Sequence, residues 1–161
     1  MDTLTGHEMP STEAVGLQHV ADLLGGPGVL RHRLTGPLDA HEMLLQGLPG
    51  EALRCLVGNF VSLRKPASLE KAVGMSLRTF QRRRDAPARP LSQEQSGRTW
   101  KLAEILAKAT SVLGSKEEAE LWLQRPAMGL DQRRPIDLLA TPAGVEAVES
   151  FLVRLEYGVY T

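Results

Sequence analysis

Residues 69–84 read Leu69-Glu70-Lys71-Ala72-Val73-Gly74-Met75-Ser76-Leu77-Arg78-Thr79-Phe80-Gln81-Arg82-Arg83-Arg84, and this stretch decides the fold. Its apolar residues recur at helical rather than strand intervals. Gly74 breaks the pattern at a point where a tight turn needs a residue that tolerates positive φ. Ser68 can N-cap a short helix through Val73, and Ser76 a second one through about Arg84. Leu69 and Val73 then face inward from the first helix, Met75 plugs the turn, and Leu77 and Phe80 face inward from the second. At about 100° per residue, Arg78 and Arg82 lie opposite Phe80, flanked by Thr79 and Gln81. That outer face is made of side chains that bond base edges and phosphates. Ser76 leaves the N-terminus of the second helix open to a phosphate.

The arrangement resembles a helix-turn-helix at about 68–84, whose second helix enters the major groove. Ser76, Arg78, Thr79, Gln81, Arg82 and Arg83 are the candidate DNA-binding residues. Glu70 stands where the motif usually has a small residue, and Arg83 where it usually has an apolar one. An ordinary helical hairpin with a basic outer face is the alternative. The charge distribution bears on the choice. The whole chain is balanced, with 19 basic and 19 acidic residues. Residues 1–63 carry three basic and seven acidic groups, a balance of −4. Residues 64–98 carry nine basic and three acidic groups, or +6, and residues 99–161 seven and nine, or −2. The excess of cations coincides with the motif, where it can neutralise phosphates and release counterions.

Outward from this centre the chain reads as all-α. Residues 1–16 are polar and predict a frayed N-terminal arm. Leu17, Val20, Leu23 and Leu24 predict a helix stopped by Gly25-Gly26-Pro27-Gly28. A short helix is expected near 39–45, and another over 51–63 from Ala52, Leu53, Leu56, Val57, Phe60 and Leu63, closed by Pro66. Pro87 and Pro90 mark the end of the motif's second helix, and a polar linker follows. The clearest helix spans 98–113, with Leu102, Ile105, Leu106, Ala109, Val112 and Leu113 on one stripe. Ser115 and Glu118 form a capping box for the next. Residues 135–139 predict a short apolar turn. Thr141 N-caps a last helix with Pro142 at its first position, lined inside by Val145, Val148, Leu152 and Leu155. The predicted organisation is an arm at 1–16, a helical DNA-binding region at 17–97, and a second helical domain at 98–161.

The length of 161 residues suits one domain or two small ones. The single cysteine, Cys55, excludes an internal disulfide framework and fits a reducing, cytoplasmic setting. No apolar run is long enough to span a membrane, and no secretion signal is legible at the start. No catalytic constellation emerges. The histidines all lie within the first 41 residues without zinc-ligand spacing, so no metal, cofactor or catalytic residue is expected. Cys55 sits on an apolar helix face and reads as core. Asp137 more readily braces its local turn than serves as a base. Trp122, Tyr157 and Tyr160 are three of the seven aromatic residues. Trp122 reads as core, and the two tyrosines as an interface.

The chain also resembles the Xre/MbcA/ParS-type antitoxins that pair with RES-domain toxins. The resemblance is carried by Leu24-Gly25-Gly26, Gly47-Leu48-Pro49, Ser76-x-Arg78-Thr79-x-x-Arg82-Arg83 and Ser96-x-Arg98-x-x-x-Leu102-Ala103. It continues through Ala119-x-x-Trp122-Leu123-x-x-Pro126, Pro135-Ile136-Asp137-Leu138-Leu139-Ala140-Thr141-Pro142-x-Gly144 and Arg154-Leu155-Glu156-Tyr157-Gly158, and so covers about 17–160. Gly97 departs from it, since the family tends to have an acidic residue there. The resemblance implies that the middle of the chain binds operator DNA and represses its operon. It implies that residues 98–161 bind an NAD⁺-consuming RES toxin and block its active site, and that the chain self-associates as a homodimer without catalysis of its own. A toxin pocket for a dinucleotide should favour anionic ligands, which makes Glu156, Tyr157 and Tyr160 the candidate toxin-binding residues, with Arg154 as a further contact on the same helix end. Two other readings compete: a stand-alone helix-turn-helix regulator with a C-terminal dimerisation or sensing domain, and a nucleic-acid enzyme subunit that retains the motif.

Overall fold

Glycine and proline punctuate the chain often enough that only short helices fit between them, with one exception. The computed structural model describes residues 12–158, with side chains from residue 16 onward. Its helices are α1 (Thr12–Leu23), α2 (Pro27–Leu30), α3 (Pro37–Gln46), α4 (Gly50–Asn59), α5 (Pro66–Val73), α6 (Leu77–Arg82), α7 (Gln93–Leu113), α8 (Lys116–Gln124), α9 (Pro135–Leu138) and α10 (Pro142–Glu156). Single 3₁₀ turns occupy Val61–Arg64, Arg83–Asp85 and Met128–Leu130. No β-strand forms among the described residues, so the all-α reading stands.

Several boundaries differ from expectation. Thr12 already begins α1, so the predicted arm is helical from there, and the rest of it lies outside the described residues. Pro27 stops nothing further; it opens α2 at its first position. Phe60 adopts an extended conformation (φ −127°) and splits the expected 51–63 helix into α4 and a 3₁₀ turn. Pro66 both ends that turn and starts α5, so Lys65 rather than Ser68 is the N-cap and Ser68 is buried inside the helix. A proline suits the first helical position because its missing N–H would have no partner there anyway.

The largest correction concerns 86–97. This stretch is no free linker. Leu91 is buried, and its N–H donates to Leu48 O at 2.7 Å. Gly50 N–H donates to Arg89 O at 3.0 Å and Glu51 N–H to Pro87 O at 2.9 Å, which pins the segment along the turn before α4. α7 then starts at Gln93 and not at Arg98, under a reciprocal capping box of Ser92 and Gln95. The predicted division at 97/98 therefore falls inside a continuous helix of 21 residues.

α7 is the axis of the molecule. It packs against α1, α3, α5, α8 and α10. Trp100, Leu102, Ala103, Ile105, Leu106, Ala107 and Ala109 bury themselves in one contiguous core shared with residues from α1 to α10. Along the α7–α10 seam, Lys101 meets Glu149 at 3.1 Å and Lys108 meets Glu156 at 2.5 Å. Both partners advance by seven residues, so the two helices run in the same direction. Thr141 caps α10 as expected, its Oγ1 accepting from Gly144 N at 3.0 Å. Gly144 is buried where a Cβ would meet Leu138 O at 1.9 Å, so only glycine lets α10 begin against α9.

Candidate functional site

The motif read from residues 69–84 folds as a helix-turn-helix of α5 and α6. Gly74 ends α5 in the left-handed region (φ +76°), with its N–H donating to Glu70 O at 2.8 Å. Met75 is buried under the turn. Ser76 caps α6: its Oγ accepts from Thr79 N at 3.1 Å and bonds Thr79 Oγ1 at 3.0 Å. Leu69 and Val73 are core, whereas Leu77 and Phe80 are only half-buried against it. Ser76, Arg78, Thr79, Gln81 and Arg82 are exposed together on one face. No ion pair among the described residues engages Arg78 or Arg82.

Arg83 differs from the other candidates. It is half-buried, and its Nη1 donates to Pro90 O at 3.4 Å. The motif's apolar position is thus filled by an arginine whose stem packs and whose head reaches the pinned segment 86–91. Arg82 and Arg84 on either side of it are exposed.

Sequence reading missed what lies beneath the turn. Arg98, on α7, donates through Nη2 to Lys71 O at 2.7 Å. A Cβ at Gly74 would meet Arg98 Nη1 at 2.2 Å. Glycine therefore suits the position twice, by its φ and by leaving room for the guanidinium below it, which a Cβ would push aside. Asp137 does brace its turn: Arg134 donates to it through Nε and Nη2, both at 2.9 Å. It also accepts from Lys71 Nζ at 2.6 Å. The Arg134 bonds, helped by Lys71, hold its carboxyl below the ordinary 3.8 against the opposing effect of burial. Next to this cluster, an open groove of about 500 Å³ is lined by Ala72 of α5, Leu102 and Ile105 of α7, Leu139, and Val145 of α10.

The C-terminal surface is aromatic. Trp122 is half-buried and stacks on Phe151, with centroids 6.3 Å apart and planes 3° apart. Arg154 lies over the other ring, its Cζ 5.8 Å from the Phe151 centroid. Of the expected toxin-binding residues, Glu156 is committed to Lys108 and Arg154 to this stack. Tyr157 is 77% exposed, and Val153 one turn earlier is 45% exposed. Tyr160 lies outside the described residues. Cys55 is half-buried rather than fully core, and burial pushes its thiol up. Among the described residues, no group of histidine, cysteine and carboxylate side chains is placed to hold a metal ion.

Comparison with known proteins assigns both halves. Residues 39–104 match the Antitoxin Xre-like helix-turn-helix domain. Residues 108–158 match the Antitoxin Xre/MbcA/ParS C-terminal toxin-binding domain. Both regions of the chain thus match antitoxin domains of the Xre/MbcA/ParS kind. One relative, Antitoxin Xre of Yersinia enterocolitica, is 32% identical over 96 residues, 59% of this chain and 64% of its own length. Another, Antitoxin Xre of Pseudomonas putida, is 32% identical over 69 residues, 43% of each chain. The chain thus spans less than two thirds of either relative. The two matched regions meet at 104–108, in the middle of α7.

Proposed function

We propose that this chain is the antitoxin of a RES–Xre pair: it binds and neutralises a RES-domain, NAD⁺-degrading toxin and represses its own operon through α6. The observation that carries the reading is the tandem order of the two matched regions, with an exposed cationic face on the first and an exposed aromatic end on the second. Arg78 and Arg82 sit one helical turn apart, free to reach a phosphate or the O6/N7 edge of guanine, with Thr79 and Gln81 between them. Ser76 and the amides it leaves open complete the phosphate contact. Half-site reading by a homodimer is part of this proposal, as are a cytoplasmic location and the absence of catalysis.

Tyr157 and Tyr160 are the residues proposed to enter the toxin's nucleotide pocket. Glu156 contributes less than its charge suggests, because Lys108 neutralises it. Arg154 holds the base of the helix end by its contact with Phe151.

Coexpression with a RES-like toxin encoded beside the chain's own gene tests the reading. The full chain should restore growth and the cellular NAD⁺ level and co-purify with the toxin. Truncation after Leu155 should weaken both. A truncated chain that binds and protects as well as the full one would remove the tail from the mechanism. A toxin that neither binds nor yields to the full chain would leave the stand-alone regulator as the better account.

A further inference from the structure

α5, the first helix of the motif, is held by residues that lie outside it. The last four carbonyls of a helix have no partner within it. Here the Lys71 carbonyl, in the last turn of α5, is taken by Arg98 of α7 at 2.7 Å. That guanidinium also places positive charge at a helix C-terminus, where it is favoured. The Lys71 side chain is taken from the other direction by Asp137 of α9, at 2.6 Å. Asp137 is itself fixed by the two bonds from Arg134. One residue of α5 is therefore clamped at its backbone and at its side-chain tip, by two different helices. That same end of α5 leads through Gly74 directly into α6.

We propose that Asp137 is a positioning residue for DNA binding: through Lys71 it sets the angle of α5, and hence the angle at which α6 meets the duplex. The proposal rests on the reading of α6 as the DNA-contacting helix. It places a determinant of DNA recognition inside the region matched as toxin-binding. Electrostatics alone predict the opposite effect. Asp137 is an anion beside a cationic unit, and removing it should strengthen attraction to any duplex. Positioning predicts that the same change weakens recognition of the right one.

The test measures affinity for a duplex spanning the sequence immediately upstream of the chain's own coding region, and for a shuffled duplex of equal length. The ratio of the two is the readout, since a gained or lost charge moves both together. Asp137→Asn in the full chain should lower the ratio about tenfold, the worth of one base contact, with shuffled-duplex binding equal or tighter. Lys71→Gln cuts the same joint from the other side and leaves the Arg134–Asp137 pair intact. It should lower the ratio similarly, and it serves if the Asp137 variant does not fold. An unchanged ratio in a folded variant, with the unaltered chain discriminating, overturns the positioning role alone. If the unaltered chain does not discriminate, the DNA-binding reading falls and takes the positioning role with it.

Discussion

Gly74 shows how much one position can carry. Its φ of +76° costs an L-residue about 1–2 kcal/mol, and any Cβ must also displace the Arg98 guanidinium. Gly74→Asn separates the two effects, because asparagine tolerates the left-handed region but still brings a Cβ. In urea unfolding, Gly74→Asn should be clearly destabilised in the native background and much less so with Arg98→Ala. Equal losses in both backgrounds would mean that Arg98 imposes nothing on the turn. The need for glycine was legible from the motif alone. The second reason for it was not, because Arg98 lies 24 positions on and no local pattern points from one to the other. The same holds for Lys71 and Asp137, which meet across 66 residues.

At the scale of elements, helix starts were legible wherever the signal is a capping side chain. Ser76 and Thr141 cap where their sequences say they should. Ser92 carries an equally plain signal, a Ser-x-x-Gln pattern, that the prolines before it obscured. Its removal by Ser92→Ala should cost about 1 kcal/mol in thermal or denaturant unfolding; no loss would mean that α7 frays there without consequence. The α7–α10 seam has the opposite balance. Its ion pairs are about 40% exposed and worth only about 0.2–1 kcal/mol each. Leu152→Ala, at a fully buried point of the seam, should cost about 2–5 kcal/mol by the same measurement. Apolar burial therefore holds the seam, and the seven-residue spacing of both charge pairs fixes its register.

Asp137 adds a pH dependence at α9. Its carboxyl is held below 3.8 in the folded chain. A depressed acid contributes stability that is full above its unfolded value and is lost as pH falls through the folded one. The stability difference between the unaltered chain and Asp137→Asn should be constant near neutrality. It should shrink once pH drops below about 4. A difference that persists undiminished at the acid end would show that the Arg134 and Lys71 bonds do not depend on ionisation.

For the whole molecule, α7 is the decisive fact. A charge map divided into −4, +6 and −2 invites a picture of beads on a string. The structure instead runs one helix through the join and one core through both regions. The chain should therefore unfold in a single cooperative transition, with the calorimetric and van't Hoff enthalpies equal. Two separated transitions would restore the picture of independent modules. No sequence pattern could settle this, since an amphipathic helix looks the same whether its stripe faces one neighbour or two. Modularity lies in the surfaces, with cations on α6 and an exposed tyrosine at the end of α10.

That separation of surfaces is best tested on the purified toxin–antitoxin complex carrying Arg78→Ala and Arg82→Ala. Titrated with the upstream duplex beside the unaltered complex, it should lose most of its DNA affinity and retain its toxin in full. DNA binding unchanged by the two substitutions would contradict the account, and so would loss of the toxin along with the DNA.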